Sequence, residues 1–152
     1  MEQIVTTTET LGLERQVRFA APQQTVYRAL TTASGISGWW MPTSGCGEHG
    51  GELWLDFPPG PGAMHVDLAQ PSSRVQWTVL RCDFLPDWVG TRIRFELRPD
   101  GDSGSMLDFR HEGLTDELDC FEQCLQGWDY YLASLHDLVD TGAGRPGDRH
   151  RR

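Results

Sequence analysis

Apolar residues recur at every second position in five runs between residues 53 and 111, then at every third or fourth position from Leu118 to Val139. This change of period restricts the fold more than any other feature. Period two places alternate side chains on one face of a strand, whereas a period near 3.6 places them on one stripe of a helix. The strand pattern is one-sided: Leu53, Leu55 and Phe57; Met64, Val66 and Leu68; Val75, Trp77 and Val79; Ile93, Phe95 and Leu97; then Leu107, Phe109 and His111. Polar residues fill the intervening positions of TRIRFEL, so the sheet is predicted to be antiparallel with one wet face.

Upstream, LERQVRFAAP reads as a further strand with Leu13, Arg15, Val17 and Phe19 on one side. Pro22 suits the first turn of a helix carrying Val26, Ala29 and Leu30, and a second short helix is expected to hold Ile36, Trp39 and Trp40. After Gly113-Leu114 the residues Thr115, Asp116 and Glu117 suit a helix start. The helix is predicted to run about 24 residues and to stop near Gly142. Its stripe comprises Leu118, Phe121, Cys124, Leu125, Trp128, Tyr131, Leu132, Leu135 and Val139. A curved sheet of about six strands wrapped around this helix buries both apolar faces, giving an α+β chain.

The length of 152 residues suits one domain. Its boundaries are expected at 1–141, with 142–152, GAGRPGDRHRR, as a disordered basic tail. All 13 basic residues are Arg, against 22 acidic ones, for a net charge of −9. Nine Arg and 21 acids leave the body near −12, and the tail adds +3. An acidic body argues against general nucleic-acid binding. No run suggests a membrane span and MEQIVTTTET lacks a signal-peptide plan, so the protein is expected in the cytoplasm. Cys46, Cys82, Cys120 and Cys124 are expected to be thiols there.

The segments VRFAAPQQTVYRALTTASGISGWW, GGELWLDF, SSRVQWTVL, TRIRFELRPDG, HEGL and GWDYYLASLHDLV carry a resemblance in their order and spacing. Over residues 13–139 the chain resembles the helix-grip fold of the START-like, or SRPBCC, superfamily, and within it the group named after the activator of the ATPase of heat-shock protein 90. The resemblance implies a deep cavity between sheet and long helix, often used for apolar or aromatic ligands. It implies no single reaction. The segment LRCDFLPDWVG departs from the group by carrying Phe84, Leu85, Pro86 and Trp88 where a short polar turn is common; it reads as a lid or a partner surface.

The sequence holds six Trp, and their placement points to the candidate site. Trp77 points inward by alternation, Trp128 lies on the helix stripe, Trp39 and Trp40 are expected at the cavity floor or mouth, and Trp54 should face outward. The expected lining is Trp39, Trp40, Leu55, Phe57, Val66, Trp77, Phe95, Phe109 and Trp128, with Cys124 as a small buried hydrophobe and His111 orienting the ligand. Set against this is the reading in which the same rings simply fill a core and His111 is structural, bonded to a backbone carbonyl. No metal or other cofactor is expected, because zinc-type ligand spacing is missing.

Three functions follow from the residues and the resemblance. The first is binding of a small apolar or aromatic molecule. The second is a cyclase, dehydratase or hydrolase in which His111 acts as general base. The third is an interaction protein, either co-chaperone-like or a homodimer formed through the Phe84 to Trp88 loop.

Overall fold

The computed structural model describes residues 12–57, 60–83, 85–114 and 121–147. Seven strands occur in the order β1 Gly12–Phe19, β2 Thr43–Gly45, β3 Glu52–Leu55, β4 Gly62–Gln70, β5 Arg74–Cys82, β6 Arg92–Asp100 and β7 Gly104–Glu112. Helices α1 Gln23–Thr31 and α2 Ala33–Ser37 separate β1 from β2, a 3₁₀ turn at Pro86–Trp88 joins β5 to β6, and α3 spans Phe121–Thr141. The strands form one antiparallel sheet ordered β1-β7-β6-β5-β4-β3-β2. This is the sheet wrapped around a long helix that the change of period predicts, and the helix-grip fold that the resemblance implies. The seventh strand, β2, has three residues, too few for alternation to reveal; it pairs with β3 at the sheet edge.

Alternation places the inward residues as expected. Leu53, Leu55, Met64, Val66, Val75, Trp77, Val79, Ile93, Phe95, Leu97, Leu107, Phe109 and His111 are all buried. Leu68 is only half-buried, beside a register shift between Val66 and Leu68. An extra residue there rotates the strand and spoils a strict two-residue count. Arg15, on the inward side of the edge strand β1, reaches past the apolar core to Asp129 of α3, with Nε at 2.6 Å from Oδ1.

Residues Cys124, Trp128, Tyr131, Leu132 and Leu135 form the buried stripe of α3. Their spacing of three and four keeps them on one face, against the sheet. The helix ends at Gly142, whose φ of +92° is a left-handed conformation suited to glycine, and its N–H donates to Leu138 O at 2.9 Å. The expected helix start at Thr115, Asp116 and Glu117, together with Leu118 and Cys120, lies outside the described residues. The second short helix ends at Ser37, earlier than its expected extent. Gly38 caps it, and Trp39 and Trp40 follow in a turn whose N–H groups both donate to Ile36 O.

Residues 143–147 run along the body. Arg145 N donates to Ser134 Oγ at 2.6 Å, its guanidinium lies 5.2 Å from the Tyr130 ring centroid, and Gly147 N donates to Trp40 O at 2.7 Å. The segment expected to be a free tail from Gly142 is therefore tied to α3 and to Trp40 through Gly147; residues 148–152 lie outside the described residues.

Candidate functional site

The expected site residues converge between the concave sheet and α3. Trp39, Trp40, Leu55, Phe57, Val66, Trp77, Phe95, Phe109, Cys124 and Trp128 are all buried in one apolar cluster. Trp40 is at its centre: its ring lies 5.5 Å from Trp39 and 6.1 Å from Trp77 in stacked arrangements. It lies 5.6 Å from Phe57, edge-on, and 5.0 Å from Trp128. Phe109 touches Trp128 at 4.6 Å and Phe95 at 5.4 Å, extending the aromatic wall along the sheet. These separations are those of aromatic pairs in direct contact. The space that the resemblance implies as a hollow is thus occupied, as described, by the chain's own rings.

Trp88 completes the cluster from a different direction. It is only 6% exposed, stacks on Trp128 with a 5° interplanar angle and a centroid distance of 5.9 Å, and meets His111 edge-on at 4.7 Å. Its indole N–H donates to Cys124 Sγ at 3.3 Å. Of the two readings of the 83–90 loop, the structure gives Trp88 the position of an inner wall; Val89 beside it is 53% exposed. Phe84 lies outside the described residues.

His111 is fully buried on β7, on the inward side of its strand. The indole N–H of Trp128 donates to its Nδ1 at 3.0 Å. An indole nitrogen can only donate, so Nδ1 carries no proton and the neutral ring is protonated at Nε2. That Nε2–H donates to Thr91 Oγ1 at 2.8 Å, and the Thr91 hydroxyl donates to Trp88 O at 2.6 Å. Each donor in this chain has one acceptor. Burial holds the His111 pKa down to about 3, so the ring is neutral at ordinary pH.

In this structure both ring nitrogens of His111 are engaged, which leaves no free base at the site. Its basic nitrogen is already bonded to Trp128, and protonation there would set two donors against each other in a dry interior. The structural reading of His111 is the one the contacts match, although its partners are Thr91 and Trp128 side chains, not a backbone carbonyl. Thr91 was not legible as a site residue, because an isolated Thr at the start of a strand carries no signal of its own. Among the described residues there is no group of three or more His, Cys, Asp or Glu side chains arranged to hold a metal ion.

A cavity of about 580 Å³ is lined by Glu14, Gln16, Arg94, Glu96, Asp108 and Arg110, which alternate with the inward residues of β1, β6 and β7, together with Arg15 and Phe109. Its charges pair with neighbours: Arg110 with Glu14, Arg94 with Glu112 and Glu96, and Arg98 with Asp108. Such exposed pairs contribute little to stability.

Three solved structures share this arrangement. The Aha1 dimer from Colwellia psychrerythraea is 27% identical, with a TM-score of 0.76 over 87% of this chain and 98% of that one. CalU16 from Micromonospora echinospora is 22% identical, with a TM-score of 0.69 over 87% of this chain and 75% of that one. DynU16, a putative protein in the dynemicin biosynthetic locus, is 21% identical with a TM-score of 0.65, and the match spans 87% of this chain but 48% of that one. At those two identities the likeness is one of fold. No curated protein matches the chain in sequence. The family profile described as Activator of Hsp90 ATPase homolog 1-like protein matches residues 20–140, and the chain belongs to that family.

Proposed function

We propose that the protein binds a small apolar or aromatic molecule in the aromatic interior between the sheet and α3. The observation that carries this reading is the way Trp88 is mounted. Trp88 enters the cluster from the 3₁₀ turn between β5 and β6, not from a strand or from α3. Its 3₁₀ turn is closed by local bonds, Trp88 N to Leu85 O and Val89 N to Pro86 O, and its ring is held by Trp128, His111 and the Cys124 sulfur. Displacing that ring opens the interior while leaving every pairing of the sheet ladder in place. A ligand that supplies stacking to Trp128 and Trp40 restores what the departing ring gave.

The family supports a ligand-binding fold, and the neighbour from the dynemicin biosynthetic locus is consistent with small-molecule work on it. A free thiol at Cys46 accords with the cytoplasm as compartment. Fluorescence enhancement of N-phenyl-1-naphthylamine, followed by its displacement with unlabelled aromatics, tests the reading. Saturable one-to-one binding supports it; no enhancement, in the wild type or in Trp88→Ala, refutes it.

Self-association is a second reading, favoured by a specific surface. Trp54 on β3, opposite Ala63 of β4, and Leu80 on β5, at the register shift beside Ala63, are 44% and 45% exposed. The Colwellia neighbour is a dimer. Sedimentation velocity across a hundredfold concentration range tests it, and a monomer throughout excludes it. Enzymatic use of His111 lacks a free basic nitrogen, and stimulation of a chaperone ATPase draws on the family description alone.

A further inference from the structure

We propose that the indole N–H of Trp77 determines ligand specificity in this interior, selecting neutral aromatic molecules that present an acceptor oxygen to it. The inference rests on the ligand-binding reading above and adds the chemical class of the ligand.

Trp77 is fully buried, and its Nε1–H has no hydrogen-bond partner among the described residues. The other deeply buried indoles with assigned bonds differ: Trp39 donates to Ala29 O at 2.8 Å, Trp88 to Cys124 Sγ and Trp128 to His111 Nδ1. A buried donor without an acceptor forfeits its hydration with no return, so native interiors rarely keep one without a reason. Because an indole nitrogen only donates, the group that completes it must be an acceptor.

The surroundings define the rest of the molecule. The Trp40 ring lies parallel to Trp77 within 12°, and Phe95 meets it edge-on at 4.9 Å, so what sits beside this N–H contacts aromatic faces and edges. Among the described residues the buried polar ones are Thr31, Thr91, Ser105, His111 and Ser134, none of them charged at neutral pH. Both nitrogens of His111 are engaged. An ionised ligand would therefore find no counter-charge, and a neutral carbonyl or ether oxygen matches the single free donor. A ligand of the same shape without the oxygen leaves the donor unpaired, which is the arrangement that discriminates most strongly between isosteres.

Fluorenone and fluorene have nearly the same shape and differ in one carbonyl oxygen, so calorimetric titration with each isolates the donor. The wild type is expected to bind fluorenone on the order of tenfold more tightly than fluorene. Trp77→Phe is expected to lose that preference, so that its affinities for the two compounds fall within about twofold of each other. Equal affinities in the wild type, as a permanently bound internal water would produce, overturn the inference but leave ligand binding standing; so does a Phe variant that keeps the preference. Failure of both compounds to bind the wild type overturns the ligand reading together with this one. If Trp77→Phe does not fold, the assigned Trp77 indole resonance of the wild type decides: a downfield proton shift with fluorenone and none with fluorene is expected, and equal shifts contradict it.

Discussion

The indole nitrogen of Trp128 lies 3.0 Å from Nδ1 of His111, and this contact fixes the tautomer of a histidine that burial keeps neutral. It connects the long helix to β7 through a neutral bond in the driest part of the molecule. From it follows a chain of three hydrogen bonds, Trp128 to His111 to Thr91 to the Trp88 carbonyl, that ties helix, sheet and 3₁₀ turn together.

The depressed His111 pKa makes stability depend on pH in a definite direction. In the unfolded chain the ring titrates near 6.5, whereas in the folded chain burial lowers it to about 3. Between those values the unfolded state binds the extra proton, so the contribution is complete above about pH 6.5 and is lost as pH falls toward 3. From pH 7 to pH 5 the loss amounts to about 2 kcal/mol. Urea denaturation at the two pH values should show it in the wild type but not in His111→Gln, and the His111 ring resonances should not titrate above pH 5.

Thr91→Val removes the hydroxyl while keeping the shape. It leaves the Nε2–H of His111 without an acceptor and removes one of two bonds to the Trp88 carbonyl, which still accepts from Thr91 N–H, and should destabilise the protein by about 1–3 kcal/mol. Thr91→Ser, which restores the hydroxyl, should recover most of that loss. Denaturation midpoints at constant m-value provide the check.

Gly142→Ala isolates backbone strain at the end of α3. No atom lies within 4 Å of the position a Cβ would take, yet φ is +92°. The expected cost is about 1 kcal/mol, from conformation alone. Thermal unfolding should show a small drop, and Gly142→Asn, which tolerates the left-handed region better, a smaller one.

Trp88→Ala opens the interior at the 3₁₀ turn. Truncating a buried Trp costs about 3–5 kcal/mol, so the variant should be less stable. If the ring is the lid, the variant should also take up N-phenyl-1-naphthylamine faster than the wild type, as read by stopped-flow fluorescence. Slower or equal uptake would make Trp88 an ordinary core residue.

Much of the fold was legible because its signals are periodic. One-sided alternation assigned the inward faces of β3 to β7, and Cys124, Trp128, Tyr131, Leu132 and Leu135 marked the helix stripe. Features without a period escaped. The strand β2 is too short to alternate, and Trp39 and Trp40 follow a helix that Gly38 caps earlier than their spacing suggested. At the candidate site, alternation placed His111 and Trp77 inside but could not show whether the space there was empty. That depends on how Trp39, Trp40, Phe57, Trp77, Trp88, Phe95, Phe109 and Trp128, from separate parts of the chain, meet. The position of Trp88 was least readable, since a Trp between Pro86 and Gly90 fits an exposed loop as well as a plug. Only the contacts with Trp128, His111 and Cys124 distinguish the two.

The central claim is that the aromatic interior admits a ligand, and the tryptophan indole signals of the uniformly ¹⁵N-labelled protein test it most directly. On titration with N-phenyl-1-naphthylamine, the resonances of Trp40, Trp77, Trp88 and Trp128 are expected to shift together and saturate at one equivalent while that of Trp54 stays in place. Shifts confined to Trp54, or no saturable shift of the interior indoles, would contradict the account and leave the cluster as a packed core.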